Sequence, residues 1–403
     1  MTQPEFDHAK PLDIPRGGLP ALTHDDIDDA VARLAAGHGP FAVDTERAMG
    51  IRYSNRAYLI QIKRAGAGIV LIDPVGIENR LDSLRELLAD EWVLHAADQD
   101  LPSLAELGLH PTKIFDTEMA GKLLGFERVS LQAMVADILG YALAKEHSAA
   151  DWSQRPLTDE MLAYAALDVD LLLELRAELT VMLEKAGRME WCEQECEDIR
   201  LRKPPAPLPQ PWRRSARQQD VRDRRALAMI RELWNARDRL AKKRDLAPGR
   251  VLPNRVLAEL ASKKPRSRAD VVHSSLLRSR ERQRDANTWW NAINTAWHLD
   301  DRALPERRFR VQRDPFPAIN RWEKLNPEAA QRWAVLRAAV LEYADEIGIA
   351  QEVLLKPIRQ KQLAWDGWEN ESDMRKQLAE YGARPWQIDQ VVPVISQAFK
   401  KSA

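Results

Sequence analysis

The chain is poor in cysteine. Its 403 residues include two, Cys192 and Cys196, four apart in a stretch of helical character. No second Cys or His pair lies near them, so a disulfide framework and a Cys/His zinc site are both excluded, and two ordinary thiols are expected. Long apolar runs are missing too, and none approaches the ~20 residues that a membrane span needs. The segment from Met1 to Pro20 is polar and carries prolines, without the apolar core of a secretory signal. With a mean hydropathy of −0.46, this composition points to a soluble protein of the cytoplasm, with no membrane partner and a monomer favoured. No Gly-rich loop ending in Gly-Lys-Ser/Thr is present, so nothing marks a helicase or another P-loop motor.

An excess of one charge is also lacking, with 60 Lys+Arg against 61 Asp+Glu. The balance is uneven along the chain. Residues 1–200 carry 19 basic and 36 acidic side chains, a net −17, whereas residues 201–300 carry 24 and 10, a net +14. The basic residues come in runs, Arg213-Arg214, Arg224-Arg225, Lys242-Lys243-Arg244 and Lys263-Lys264. Runs of this kind suit a polyanion better than a merely solvated face does, while the acidic front suits metal-dependent chemistry. Between them, Leu201 to Trp212 holds five prolines and reads as a stiff extended connector.

The expected elements follow from periodicity. Phe41 to Val43, Ala57 to Ile62 and Ile69 to Asp73 read as strands of an antiparallel meander. Further strands are expected at Trp92–His95 and Lys113–Asp116, with helices over 78–89, 98–107, 117–124, 131–139 and 158–186. Strands first and strand–helix alternation after them imply an α/β domain with a mixed sheet. Beyond the connector the pattern is helical. The helices lie near 225–243, 254–262 and 286–295, then, past a proline-containing break at 304–317, near 329–347, 353–364, 372–381 and from 385 onward. The expected domains are 1–200, a linker 201–216, a helical unit 217–300 and a second helical unit 301–403 of similar length and rhythm, as a diverged duplication would give.

The chemistry concentrates in three acidic patches. Asp44 and Glu46 end the first strand, and residues i and i+2 of a strand share a face. Two such carboxylates repel unless a proton or a cation intervenes, and a hard divalent ion is the natural occupant. Asp98 and Asp100 follow a short strand and open a helix, where Asp98 is read as a cap and Asp100 as a candidate ligand. Tyr164 and Asp168 are four apart and share a helical face.

Asp44, Glu46, Asp100, Tyr164 and Asp168, in that order, resemble the DEDD exonuclease superfamily in its tyrosine-bearing subgroup. The segments Leu143–Lys145 and Asp151–Leu157 resemble the stretch before the last motif in ribonuclease D and its exosome relatives. Trp234–Asp238 and Leu246–Pro253 resemble an HRDC domain, a helical nucleic-acid-binding module. Arg47 departs from the apolar or aromatic residue usual after the Asp-Thr-Glu triplet, which bears on the pocket for the terminal base rather than on the metal site.

The resemblance implies a ribonuclease H-like exonuclease domain followed by all-α HRDC-type domains. It also implies 3′→5′ hydrolysis of RNA with release of nucleoside monophosphates, by two divalent ions, Mg2+ or Mn2+. Asp44, Glu46, Asp100 and Asp168 would hold the ions and Tyr164 would orient the attacking water. The partner implied is RNA with a free 3′ end, tRNA precursors being what the family suggests. Lys145, Arg155, Arg237, Lys242, Lys243 and Arg244 are the candidate phosphate contacts, and residues 1–205 alone are expected to retain nuclease activity. Two other readings share the pattern, a DNA 3′→5′ exonuclease and a non-catalytic nucleic-acid-binding scaffold.

Overall fold

In the computed structural model, residues 9–144, 150–204, 206–218, 220–277, 280–307 and 315–402 are described. The eight strands among them are β1 (Lys10–Leu12), β2 (Leu22–Thr23), β3 (His38–Arg47), β4 (Ala57–Ala65), β5 (Gly68–Ile72), β6 (Glu91–Leu94), β7 (Lys113–Asp116) and β8 (Tyr141–Leu143). Six form one mixed sheet in the order β2-β5-β4-β3-β6-β7, while β1 and β8 pair separately in parallel. The pairs β3–β4 and β4–β5 are antiparallel, as the meander requires, and β3–β6 and β6–β7 are parallel. Strand β3 therefore lies where the pairing changes sense. Phe41, Ala42 and Val43 are fully buried in it, so its start is fixed by packing and its polar end is left at the sheet edge where β6 also terminates.

Helices cover the sheet. The expected single helix over 158–186 is two, Asp159–Asp170 and Leu172–Lys185, separated at Leu171, whose backbone (φ −111°) leaves the helical region. Thr158 caps the first, its hydroxyl accepting from the Met161 N–H. The expected helix over 131–139 continues from Leu131–Met134 into a π-helical turn, Val135–Leu139, closed by Gly140 in the left-handed region.

The two helical units past the connector share an order of elements. A long helix (Arg224–Arg244; Pro327–Glu346) leads to a four-residue helix (Pro248–Val251; Gln351–Leu354) and one extended leucine (Leu252; Leu355). A ten-residue helix follows in each (Asn254–Lys263; Pro357–Asp366). Their packing differs. The first has a hydrophobic cluster of its own, centred on Leu233, Leu257 and Trp289. The second, with Trp322, Leu336 and Val392, belongs to the same cluster as the sheet and its helices. That continuity corrects the expectation for residues 1–205, since truncation after Pro205 would strip a part of the nuclease's own apolar packing. Among the described residues, no helix is long and apolar enough to cross a membrane.

Candidate active site

The site is built at the end of β3. Asp44 and Glu46 project from it on one face, and the Asp159–Asp170 helix packs across β3 and β4 with Tyr164 and Asp168 turned toward them. That helix is tied down at its end, where Asp170 accepts from the Arg16 backbone N–H at 3.0 Å and from Lys63 Nζ at 3.2 Å. Burial favours protonation of Asp170, but these hydrogen bonds and the charges of Lys63 and Arg16 outweigh it and hold the carboxyl below its usual range. One carboxylate oxygen from each of Asp44, Glu46 and Asp168 lies within 4.8 Å of the others.

Asp100 arrives from the parallel neighbour. After β6 the chain turns through Ala96 in the left-handed region (φ 58°) and a short 3₁₀ turn, and Asp100 stands before the Leu101–Glu106 helix. Sequence reasoning missed what holds this turn. The buried Asp116 carboxylate at the end of β7 accepts from Ala96 N, Ala97 N, Glu118 N and Met119 N at 2.9–3.1 Å, fixing the turn that delivers Asp100 to the helix that follows β7. The signal available was an Asp closing a strand before a helix, the pattern of an N-cap.

Asp100 faces a cation of the protein itself. Arg47 Nη2 lies 3.0 Å from Asp100 Oδ1, and Arg47 Nη1 donates to the Gln99 carbonyl. Asp100 also shares a side-chain hydrogen bond with Asp44. Burial pushes the Asp44 carboxyl up to about 6, against the Thr45 N–H, the Arg47 charge and Asp100, which pull it down. Burial, followed by the charges of neighbouring carboxylates, lifts Glu46, Asp100 and Asp168 well above the usual range. Burial and the charges of Asp168, Glu46 and Asp44 raise the Tyr164 phenol as well, and its ring stands 6.3 Å from that of Trp152.

These residues fit a divalent cation. All the charged donors are carboxylate oxygens, the hard ligands that Mg2+ and Mn2+ prefer. Acids pushed up by burial and, for Glu46, Asp100 and Asp168, by neighbouring carboxylates are those that a bound cation would return to the ionised form. Gln61 adds an independent sign. It pairs with Asp44 across the β3–β4 ladder and so shares its face. It is fully buried, and neither its amide nitrogen nor its oxygen has a hydrogen-bond partner among the described residues. An orphaned buried amide beside the cluster is costly unless something there engages it.

The expected phosphate contacts fare differently. Lys145 lies outside the described residues. Arg155 is engaged internally, bonding Asp73 through two nitrogens at 2.5 and 2.7 Å and the carbonyls of Tyr58 and Trp152. It pins the segment ahead of the Asp159–Asp170 helix onto β4 and β5. Arg237 is 4% exposed and donates to the Leu252 carbonyl and Asn254 Oδ1, so a phosphate would have to displace contacts inside its own domain. Arg244 is exposed but forks onto Asp285 at 2.6 and 2.7 Å. Lys242 and Lys243 are exposed at the end of their helix.

A 3′-5′ exonuclease family model matches residues 21–184, an HRDC domain model residues 226–293 and a 3′ to 5′ exonuclease C-terminal domain model residues 315–399. A ribonuclease D from Jannaschia sp. (strain CCS1) is 33% identical over 267 residues, covering 63% of this chain and 68% of the relative. This chain belongs to the ribonuclease D family. A solved protein from Bifidobacterium adolescentis superposes with a TM-score of 0.86 at 34% identity, over 97% of this chain and all of that one. The solved Escherichia coli ribonuclease D shares the fold, with a TM-score of 0.64 at 24% identity over 95% of this chain and 99% of that one. As a ribonuclease D, the chain is a 3′→5′ exoribonuclease, and the acidic cluster at the end of β3 is its candidate metal centre.

Proposed function

We propose that the enzyme removes nucleotides one at a time from RNA 3′ ends at the β3 cluster, with Asp44, Glu46, Asp100 and Asp168 holding two divalent ions, Mg2+ or Mn2+. The observation that carries this reading is the convergence of Asp44, Glu46 and Asp168 oxygens within 4.8 Å, with Asp100 bonded to Asp44 beside them. Divalent ions bound there supply Lewis-acid stabilisation of the scissile phosphate and a more acidic water. Asp44 shares a hydrogen bond with Asp100 and lies beside Glu46 and Asp168, and with them it would hold the ions. Tyr164, its phenol held protonated by burial and by the acids around it, can orient the attacking water by hydrogen bonding and is a poor acceptor of its proton.

The substrate follows from charge. A domain of net −17 repels RNA except where bound cations reverse the sign, so the unit at 201–300, net +14, is the grip, with Lys242 and Lys243 its exposed contacts. Structured RNA precursors, tRNA 3′ ends among them, are the substrates in this reading. The solved E. coli relative is described as an exoribonuclease involved in structured RNA processing, which supports it.

The test uses the full-length protein on matched RNA and DNA oligonucleotides with free 3′ ends, with Mg2+, with Mn2+ and with excess EDTA. The expected result is stepwise release of nucleoside 5′-monophosphates from RNA, abolished by EDTA. Asp44→Ala should lower kcat/KM by about a thousandfold, in the range lost when a charge-stabilising group is removed. Activity persisting in EDTA, or preference for DNA, would overturn the reading.

A further inference from the structure

Arg47 is the residue of this site that the two-ion reading leaves without a task. It follows Glu46 directly, across an irregularity where the β3–β4 register shifts between Glu46/Leu59 and Arg47/Ala57. Bulges of this kind re-aim side chains. Arg47 reaches over to the turn that follows β6, where its two terminal nitrogens divide between Asp100 Oδ1 and the Gln99 carbonyl. The pair is withdrawn from water, the side chains being 14% and 6% exposed. The 4.8 Å cluster is formed by the other three acids, Asp44, Glu46 and Asp168. The Asp100 carboxyl is engaged by Arg47 and by Asp44.

A guanidinium and a divalent cation seek the same lone pairs, and two cations a few ångströms apart in a site shielded from water repel strongly. The guanidinium fork also matches phosphate as well as it matches carboxylate. We propose that Arg47 is a resident counter-cation that occupies Asp100 and weakens uptake of the second ion, and that a phosphate of the RNA 3′ end is what draws it off. Arg47 is then a specificity residue. It ties full assembly of the metal centre to the presence of a substrate, and idle cation binding is disfavoured. The inference rests on the metal-site reading given above.

Mn2+ titration of the metal-free full-length protein by calorimetry separates the two claims. Wild type is expected to take up one ion well and the second weakly. In Arg47→Gln the second ion should bind about tenfold tighter, a shift of the size that removing one close charge produces. Arg47→Lys keeps the charge but loses the fork bridging Asp100 and Gln99, and should fall between. Because Arg47→Gln leaves Asp100 without its partner, melting is followed in parallel, and Mn2+ should raise the Tm of this variant more than that of wild type. If Arg47→Gln does not fold without metal, the shift between Arg47→Lys and wild type carries the test. Superimposable isotherms for wild type and variants would overturn the proposal and leave the metal site standing. Absence of Mn2+ binding in all of them would overturn the metal site, and this inference with it. At saturating Mn2+, Arg47→Gln should raise the KM for a short single-stranded RNA about tenfold while changing kcat less. An unchanged KM would overturn RNA phosphate as the group that draws Arg47 away.

Discussion

The two helical units are alike in their order of helices and opposite in how they join the nuclease. The C-terminal unit is fused to it. Its apolar residues continue the cluster beneath the sheet, Trp386 stacks on Trp191 with ring centroids 4.6 Å apart, and Arg384 forks onto the buried Glu195 at 2.6 and 2.7 Å. The unit at 220–304 keeps its own core and is held by a polar clamp. Asp245, in the left-handed region (φ 46°) at the end of the long helix, accepts from the backbone N–H groups of Tyr53 and Ser54 and from the hydroxyls of Ser54 and Tyr58. The Ala247 N–H donates to the Ile51 carbonyl and the Tyr53 hydroxyl to Asp238. The clamped segment is the one that leaves β3 just beyond Glu46 and Arg47. One interface therefore completes a core, while the other grips the loop that leads from the strand of the proposed metal centre.

The largest effect should come from the fused interface. Arg384→Ala leaves the buried Glu195 without its cation, keeping the Trp386 Nε1 hydrogen bond at 2.8 Å, at a cost of about 3–5 kcal/mol. The near-ultraviolet signal of the Trp191–Trp386 stack should vanish at a lower denaturant concentration than in wild type, and an unmoved midpoint would show that this unit is not held as described. Asp245→Ala should cost less, about 1–3 kcal/mol for amides left unsatisfied. Its signature is local, with faster hydrogen exchange at Tyr53 and Ser54 while the C-terminal unit stays protected. Equal loosening of both units would erase the distinction.

Protonation should separate the clamp from the site by sign. Burial raises the Asp245 carboxyl, but the hydrogen bonds from Ser54, Tyr58 and Tyr53 outweigh it and hold it below the usual value. Its contribution is thus present above about pH 4 and is lost as pH falls through its folded value. The acids of the proposed metal centre run the other way. Asp44 is raised to about 6, so in the native state it keeps a proton that the unfolded chain has released. Without metal, the protein should lose stability as pH rises from about 4 through 6. Melting in EDTA from pH 4 to 7 should show a Tm that falls up to about pH 6, a fall that Mg2+ abolishes, and a flat profile in EDTA would remove the burial of carboxyls without a cation inferred at β3. The smallest effect concerns RNA. Neutralising both Lys242 and Lys243 should reduce the log–log salt slope of binding by about 1.4, at about 0.7 per phosphate contact on a single strand, whereas neutralising Lys400 and Lys401 of the fused unit should leave it unchanged. Equal slopes for the two pairs would mean that the clamped unit is not the grip.

The acidic set was legible because its geometry is short-range. Alternation along a strand places Asp44 beside Glu46, and one helical turn places Tyr164 over Asp168, whatever the rest of the chain does. The basic surface was legible only in part, because a run of positive residues on a helix does not say which members face inward. Arg237 was drawn into its own domain and Arg155 into a clamp on Asp73.

By itself, then, the sequence determined β3 to β7 and the long helices, though not β1, β2, β8 or the break at Leu171, together with which carboxylates share a face and where the charge lies, since each depends on neighbours within a few residues. Only the tertiary structure decided that Arg47 would lie on Asp100, that Asp116 would hold the turn delivering Asp100, and that two similar helical units would join the nuclease in different ways. Those contacts link positions about 20 to 200 residues apart in the chain, where periodicity carries no information and the partner is chosen by how the layers pack.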